Sequence, residues 1–307
     1  MVGDNLPDKP ANLIIIAGPT AVGKTLVAIE VARHFNTEII SADSRQFYQG
    51  LNIGTAAPTK EQLSLVKHHF IGHLKLEDYY NVSMFETDVI NLLSEKFKDK
   101  RNIVLTGGSG LYIRAITDGI DDLPNIDTAI REKLQVINST EGLPTLRRML
   151  LLYDPEYAQQ VDLANPNRII RALEVCLQTG KSYSSQRLNN KPIRNFNIIR
   201  IALDLSRDKL HERINHRVDQ MIEECLVEEA RAFYPLRNLN SLNTVGYKEL
   251  FDYFDCKISL EEAIEKIKTN TRRYARRQIT WFRKNNEFHW LPPDSEKVID
   301  YLSSIIR

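Results

Sequence analysis

Short apolar runs broken by glycine and polar turns fill the first third of the chain. Leu13-Ile-Ile-Ile-Ala17 is apolar at every position and stops at Gly18, the pattern of a strand buried on both faces of a parallel sheet. Glu38-Ile-Ile-Ser-Ala42, His69-Phe-Ile-Gly72, Asn102-Ile-Val-Leu-Thr106 and Asn197-Ile-Ile-Arg-Ile-Ala-Leu203 read as further strands. Between the first two, Leu26, Ile29, Val31 and Ala32 supply the apolar positions of a helix. Strands alternating with helices predict a doubly wound α/β core. From Asp118 to about Pro166 the β-rich runs vanish, and Ile130, Leu134 and Ile137, then Leu146, Met149 and Leu150, recur at helical spacing. This predicts a helical insertion over 118–165 between core segments 11–117 and 166–290. Ser206 is a suitable N-cap for a helix through Leu210, Ile214, Val218 and Met221. The chain then reads as helical almost to its end, with 291–307 as a tail.

The 307 residues are 42% hydrophobic and carry 41 Lys and Arg against 40 Asp and Glu, a net charge of +1. That composition excludes a disordered chain and is enough for two domains, or one with an insertion. Cys176, Cys225 and Cys256 are odd in number and widely spaced, which fits neither a disulfide framework nor a zinc knuckle and points to a reducing, cytoplasmic setting. Residues 1–10 place acids and prolines where a signal peptide has basic and then apolar residues, and no apolar run approaches the ~18 residues that span a bilayer. No membrane association is expected.

Gly18-Pro-Thr-Ala-Val-Gly23-Lys24-Thr25 is a complete GxxxxGK[ST] between a predicted strand and a predicted helix. In such a P-loop the glycines let backbone N–H groups converge on phosphate oxygens. The helix start adds a positive dipole, Lys24 a point charge and Thr25 a hydroxyl for Mg²⁺. Hydrolysing P-loop enzymes also need a carboxylate at the end of a second core strand. Here Ile103-Val-Leu-Thr106 runs into Gly107-Gly-Ser-Gly110 without an acid, which argues against a motor or switch NTPase.

The Gly107–Gly110 loop ends a strand where open α/β sheets place ligands, so it is either a close backbone approach to substrate or a tight turn. Asp43, in Ser41-Ala-Asp-Ser-Arg-Gln46, is either a general base beside the P-loop or the cap of a following helix. His68, His69 and His73 lack an acid or cysteine to complete a metal set and read as strand and loop residues. From Lys266 to Lys284 the chain has eight basic residues and no acid. At 100° per residue, Arg272, Arg273, Arg276, Arg277, Arg283 and Lys284 share one side, while Ile264, Ile267, Tyr274, Gln278, Trp281 and Phe282 share the other. A basic helix face suits a nucleic-acid backbone. Arg168 with Arg171, and Arg213 with Arg217, are basic pairs at helical spacing and candidates for further phosphate contacts.

Three classes fit these features: a group-transfer enzyme that modifies a nucleic acid with a diphosphate donor, a small-molecule kinase, and a binding module with a vestigial P-loop. The basic helix disfavours the kinase, and an intact Lys24-Thr25 with Asp43 nearby disfavours the module.

Together, Gly18-Pro-Thr-Ala-Val-Gly-Lys-Thr25, Ser41-Ala-Asp-Ser-Arg-Gln46, Leu51-Asn-Ile-Gly-Thr-Ala56, Gly107-Gly-Ser-Gly-Leu-Tyr112, Arg168-Ile-Ile-Arg-Ala-Leu-Glu-Val175 and Thr271-Arg-Arg-Tyr-Ala-Arg-Arg-Gln-Ile-Thr-Trp-Phe-Arg283 resemble the bacterial tRNA dimethylallyltransferases, from about Leu13 to Arg283. The resemblance implies a P-loop NTPase-like parallel sheet with a helical insertion and a helical C-terminal region. It also implies transfer of a dimethylallyl group from dimethylallyl diphosphate to N6 of the adenosine 3′ of the anticodon, with Mg²⁺ as cofactor. By the same resemblance Gly18, Pro19, Thr20, Ala21, Val22, Gly23, Lys24, Thr25 and Arg213 hold the donor diphosphate and the Thr25 hydroxyl the Mg²⁺. Asp43 is the general base, aided by Lys24, Thr25 and Arg217. The tRNA anticodon stem-loop would meet Asp43, Ser44, Arg45, Gln46, Ser109, Arg131, Asn167, Arg168, Ile169, Ile170, Arg171, Asn243, Gly246, Tyr247 and Lys248, with Arg276 and Arg277 from the basic helix. A cytoplasmic monomer without an obligate protein partner is expected. Ser109 stands where the family usually has Thr, and Cys225 where it more often has Gly. Asn243 and Thr244 also differ from some members.

Overall fold

The computed structural model describes residues 11–121, 123–125, 127–187, 192–284 and 286–306. The opening segment 1–10, which lacks a signal pattern in sequence, lies outside them. The chain divides into a sheet unit, up to Thr117 and from Ile193 onward, and a helical unit, Asp118–Pro192.

The sheet unit is built on six parallel strands: β1 (Asn12–Ala17), β2 (Ile39–Ser41), β3 (His68–His69), β4 (Asn102–Gly107), β5 (Asn197–Leu203) and β6 (His289–Leu291), in the order β3-β2-β4-β1-β5-β6. Every residue of β1 is buried. Side chains alternate across a strand, so Leu13, Ile15 and Ala17 enter one core layer while Ile14 and Ile16 enter the other. This is why the run is apolar throughout rather than alternating. β3 is shorter than the His69–Gly72 pattern implied, because Phe70 takes φ 63 and leaves the extended region.

The expected tail, 291–307, is instead part of the core. β6 pairs with Ile201–Leu203, and the helix Ser295–Ile305 buries Val298 and Leu302 in the layer that holds Val27, Ala28 and Ile29 of the Lys24–His34 helix. No helix among the described residues is long and apolar enough to cross a membrane.

The helical unit buries Leu134, Leu146 and Leu150, as their spacing predicted, against Ile169, Ile170, Ala172 and Leu173 of the Pro166–Thr179 helix. That helix therefore belongs to this unit, which ends at Pro192 rather than at 165. Its apolar face is needed to close the small core. Asp154, wholly buried, accepts hydrogen bonds from Tyr157 N, Ser184 N and Ser184 Oγ and so ties the segment 182–187 back to the unit.

Cys225 sits at φ 72 where the Arg207–Glu223 helix gives way to Leu226–Phe233. A glycine suits this position by conformation, not by close approach, since the cysteine is exposed. Holding an L-residue in the left-handed region costs about 1–2 kcal/mol. Cys225→Gly is expected to raise the melting temperature, and an unchanged or lower midpoint in thermal denaturation would count against that strain.

Candidate active site

The P-loop leaves β1 at Gly18, whose φ of 148 and close passage over β5 exclude a side chain: a Cβ there would lie 2.9 Å from Leu203 O. Ala21 (φ 63) and Gly23 (φ 107) turn the loop so that a helix opens at Lys24 with no side-chain cap on its first amides. Lys24 Nζ donates to Pro19 O at 2.8 Å. Burial pulls its pKa down to about 8, against the attraction of Asp43 and with the repulsion of Arg217. The Arg207–Glu223 helix brings Arg213 and Arg217 to the same loop. Arg213 Nη1 donates to Val22 O at 3.0 Å, and burial, then Arg213, holds Arg217 below the usual guanidinium range.

Asp43 follows β2. Ala42 N donates to Thr106 O at 2.7 Å, and Gly107 lies so close to Ala42 that a Cβ would fall 2.3 Å from its carbonyl oxygen. No helix follows Asp43. Its Oδ1 accepts from Arg45 N at 3.1 Å, and its carbonyl from Gln46 N, so it caps a turn that Phe47 anchors in the core. Burial raises the Asp43 pKa, and the Arg45 N–H, Lys24 and the Arg45 charge oppose the rise. Tyr112 and Tyr274 are both within electrostatic reach of Asp43, and burial pushes both up to about 12, so they stay phenols.

Each glycine of the Gly107–Gly110 loop leaves room for a protein neighbour: Gly107 for Ala42, Gly108 for Gln278, and Gly110 for the Trp281 ring, which remains 39% exposed. Ser109 Oγ accepts from Ser44 N at 3.3 Å, so the hydroxyl that Ser and Thr share steadies the Asp43 turn.

Several residues assigned to tRNA by resemblance serve the interior. Gln46 Nε2 donates to Thr55 O and Ala56 O, and Arg45 Nη1 to Asn240 O at 2.7 Å. Tyr247 is 0% exposed and donates its OH to Glu229, whose carboxylate also accepts from Asn52 N, Ile53 N and Gly54 N. Gly246 is buried beside it, while Asn243 and Lys248 are exposed.

In the helical unit Ile169 and Ile170 are core, and Asn167 and Arg168 are exposed. Arg131 donates from Nε and Nη2 to the buried Glu174, which Arg171 approaches at 3.5 Å while donating to Pro124 O. Of the residues assigned to tRNA by resemblance, Ile169, Ile170, Gly246 and Tyr247 are thus buried, while Arg45, Gln46, Arg131 and Arg171 are half-buried and bonded within the protein.

The long helix Leu260–Arg283 separates much as predicted, with Ala263, Ile267, Ala275, Gln278 and Phe282 buried and Arg273, Arg276 and Arg277 exposed. Its run of cations is partly answered from elsewhere: Arg272 bonds Asn215, Lys268 pairs with Asp219, and Arg283 with Asp204. His69 hydrogen-bonds Glu38, His68 bonds Val66 O, and His73 packs edge-on against Phe47. Gln278 and Glu229 were missed by sequence reasoning. For Gln278 there was a signal, a lone carboxamide on an otherwise apolar helix face.

The sequence profile described as IPP transferase matches residues 46–285. The tRNA dimethylallyltransferase of Christiangramia forsetii is 52% identical over 297 residues, 96% of this chain and 98% of its own. The crystal structure of the tRNA isopentenylpyrophosphate transferase of Bacillus halodurans, 37% identical, superposes with a TM-score of 0.71 over 97% of this chain and 96% of that one. A eukaryotic dimethylallyltransferase acting on tRNA, 24% identical, shares the fold with a TM-score of 0.76 over 96% of this chain and 77% of that one. With half its residues shared along nearly the whole length, the chain belongs to the tRNA dimethylallyltransferase family.

Proposed function

We propose that the protein transfers the dimethylallyl group of dimethylallyl diphosphate to N6 of the adenosine 3′ of the anticodon in tRNA, in the cytoplasm and as a monomer. The observation that carries this is that Lys24, Arg213 and Arg217 gather at the P-loop while the half-buried carboxylate of Asp43 lies within electrostatic reach of Lys24. The cations suit a diphosphate. The carboxylate, with its proton affinity raised, suits a base.

In the reaction the N6 lone pair forms a bond to the allylic carbon, the carbon–oxygen bond breaks with its electrons going to diphosphate, and Asp43 takes the N6 proton. Lys24, Arg213 and Arg217 oppose the charge that grows on the leaving oxygen. An adenine inside its stack is out of reach, so the base must be extruded into the cleft. Among the described residues no three His, Cys, Asp or Glu side chains converge. Mg²⁺ would therefore rest on the Thr25 hydroxyl and on the donor's own oxygens, the mixed shell this ion favours, and would offset diphosphate charge.

The direct test is nucleoside mass spectrometry of tRNA incubated with protein, Mg²⁺ and dimethylallyl diphosphate. Prenylated adenosine is expected, and turnover of ATP to ADP without it would favour a kinase. Asp43→Asn should keep donor and tRNA affinity within several-fold and lower the single-turnover rate by on the order of 10² or more. Near-normal rates would reduce Asp43 to a turn cap.

The ionisations set a bell-shaped kcat/KM for the donor. Activity rises with pH as Asp43 loses its proton, above the ordinary 3.8, and falls as Lys24 loses its own near 8. Lys24→Arg should remove the alkaline limb alone, and a wild-type profile flat from pH 7 to about 9.5 would contradict the assignment.

For tRNA, replacing Arg276 or Arg277 by Ala should flatten the slope of log affinity against log salt by about 0.7–0.9 for each phosphate no longer neutralised. An unaltered slope in the Arg276→Ala, Arg277→Ala double variant would mean that this face is only solvated.

A further inference from the structure

Gln278 is 5% exposed and is the one polar residue among the buried positions of the long helix. Its Oε1 accepts from Thr20 N at 2.8 Å, and its Nε2 donates to Gly108 O at 2.9 Å. The two partners fix the carboxamide's orientation, since a flip would set N–H against N–H and oxygen against oxygen. The absence of a side chain at Gly108 leaves room for this carboxamide, since a Cβ there would displace Nε2.

Resting on the function given above, we propose that Gln278 is a positioning residue that holds the donor loop in register with the base. It fastens the start of the P-loop to the Gly107–Gly110 loop. Ser109 of that loop fastens the turn that carries Asp43, through Ser44 N. The path Thr20–Gln278–Gly108–Ser109–Ser44 thus spans the cleft from diphosphate site to carboxylate. The Thr20 N–H is already taken by Gln278, which leaves Thr20 only its hydroxyl for the donor, and the amides beyond it do the cradling. Gln278 also adjoins the exposed Arg276 and Arg277, so one helix meets both the outer basic face and the donor loop.

Displacing reacting groups by about 1 Å costs on the order of 10²-fold in rate. Gln278→Met removes both bonds and is expected to lower kcat at least about tenfold, with pyrophosphate affinity within about threefold and the tRNA salt slope unchanged. Gln278→Glu separates registration from packing. Its carboxylate keeps the Thr20 bond but opposes Gly108 O, whereas its protonated form again offers an acceptor and a donor. The ratio of its kcat to the wild type's should therefore climb as the pH falls. In donor-free wild type the Thr20 amide should be protected from hydrogen exchange, and in Gln278→Met it should exchange freely.

If folded Gln278→Met keeps kcat within twofold, or if Thr20 is unprotected in the wild type, the proposal fails. The exchange measurement decides even where the variants do not fold. It also stands apart from the reaction itself, so protection at Thr20 without prenyl transfer would overturn the functional reading and not the tether.

Discussion

Burial drives Lys24 toward its neutral form and Asp43 toward its acid form; the Arg45 N–H is the first to resist the rise at Asp43, and the attraction between Lys24 and Asp43 resists both shifts. Arg217, itself desolvated, pushes Lys24 further down. The site thus gathers Lys24, Arg45, Arg213 and Arg217 about one carboxylate, an imbalance that an anionic ligand would reduce. A charge taken from water is strongly felt by its neighbours, so the same burial that strains the free site would strengthen its hold on an anion. The acid just beyond β5, Asp204, does not redress the balance, being paired with Arg283 at 2.9 Å.

That electrostatic arrangement depends on backbone placed against backbone. Gly18 runs over Leu203 O and Gly107 over Ala42 O, at separations no Cβ would allow. Such contacts require the strand ends to be level, which the register of β1 with β4 and β5 supplies: Ala17 lies opposite both Gly107 and Ala202. Loops leaving the carboxyl ends of adjacent parallel strands then open on one crevice. The donor loop, the Asp43 turn and the glycine loop are therefore neighbours because of strand pairing, and the glycines convert that into contact.

The central strands were plain in the sequence, since β1, β2, β4 and β5 show as largely apolar runs, and the P-loop is a motif that names its own context. Other elements left no such trace. β6 is three residues with a histidine at its start, and the helix behind it could be placed only by what it packs on. The insertion's end was misread because the apolar face of Pro166–Thr179 looks the same whether it closes a small helical core or a large mixed one. Motif resemblance also blends two kinds of residue. Tyr247, Ile170 and Gln46 belong to segments that the resemblance assigns to tRNA, and their side chains hold those segments in shape.

Charge shows the same limit. Counted along the chain, Lys266 to Lys284 is purely basic, but in space Asp219 and Asp204 reach Lys268 and Arg283. Within the helical unit Glu174 engages Arg131 and Arg171 from a fully buried position. A guanidinium paired in this way presents little net field to a phosphate, and breaking such a pair would leave a buried carboxylate alone. Other cations are left outward, among them Arg273, Arg276 and Arg277 on the long helix, Lys248 on the Tyr247–Phe254 helix and, within the helical unit, Arg168. Among these Arg277 has a second connection, because its guanidinium lies 5.7 Å from the Tyr274 ring and Tyr274 is within electrostatic reach of Asp43. The exposed guanidinium is thus linked through one aromatic ring to the carboxylate proposed as the base.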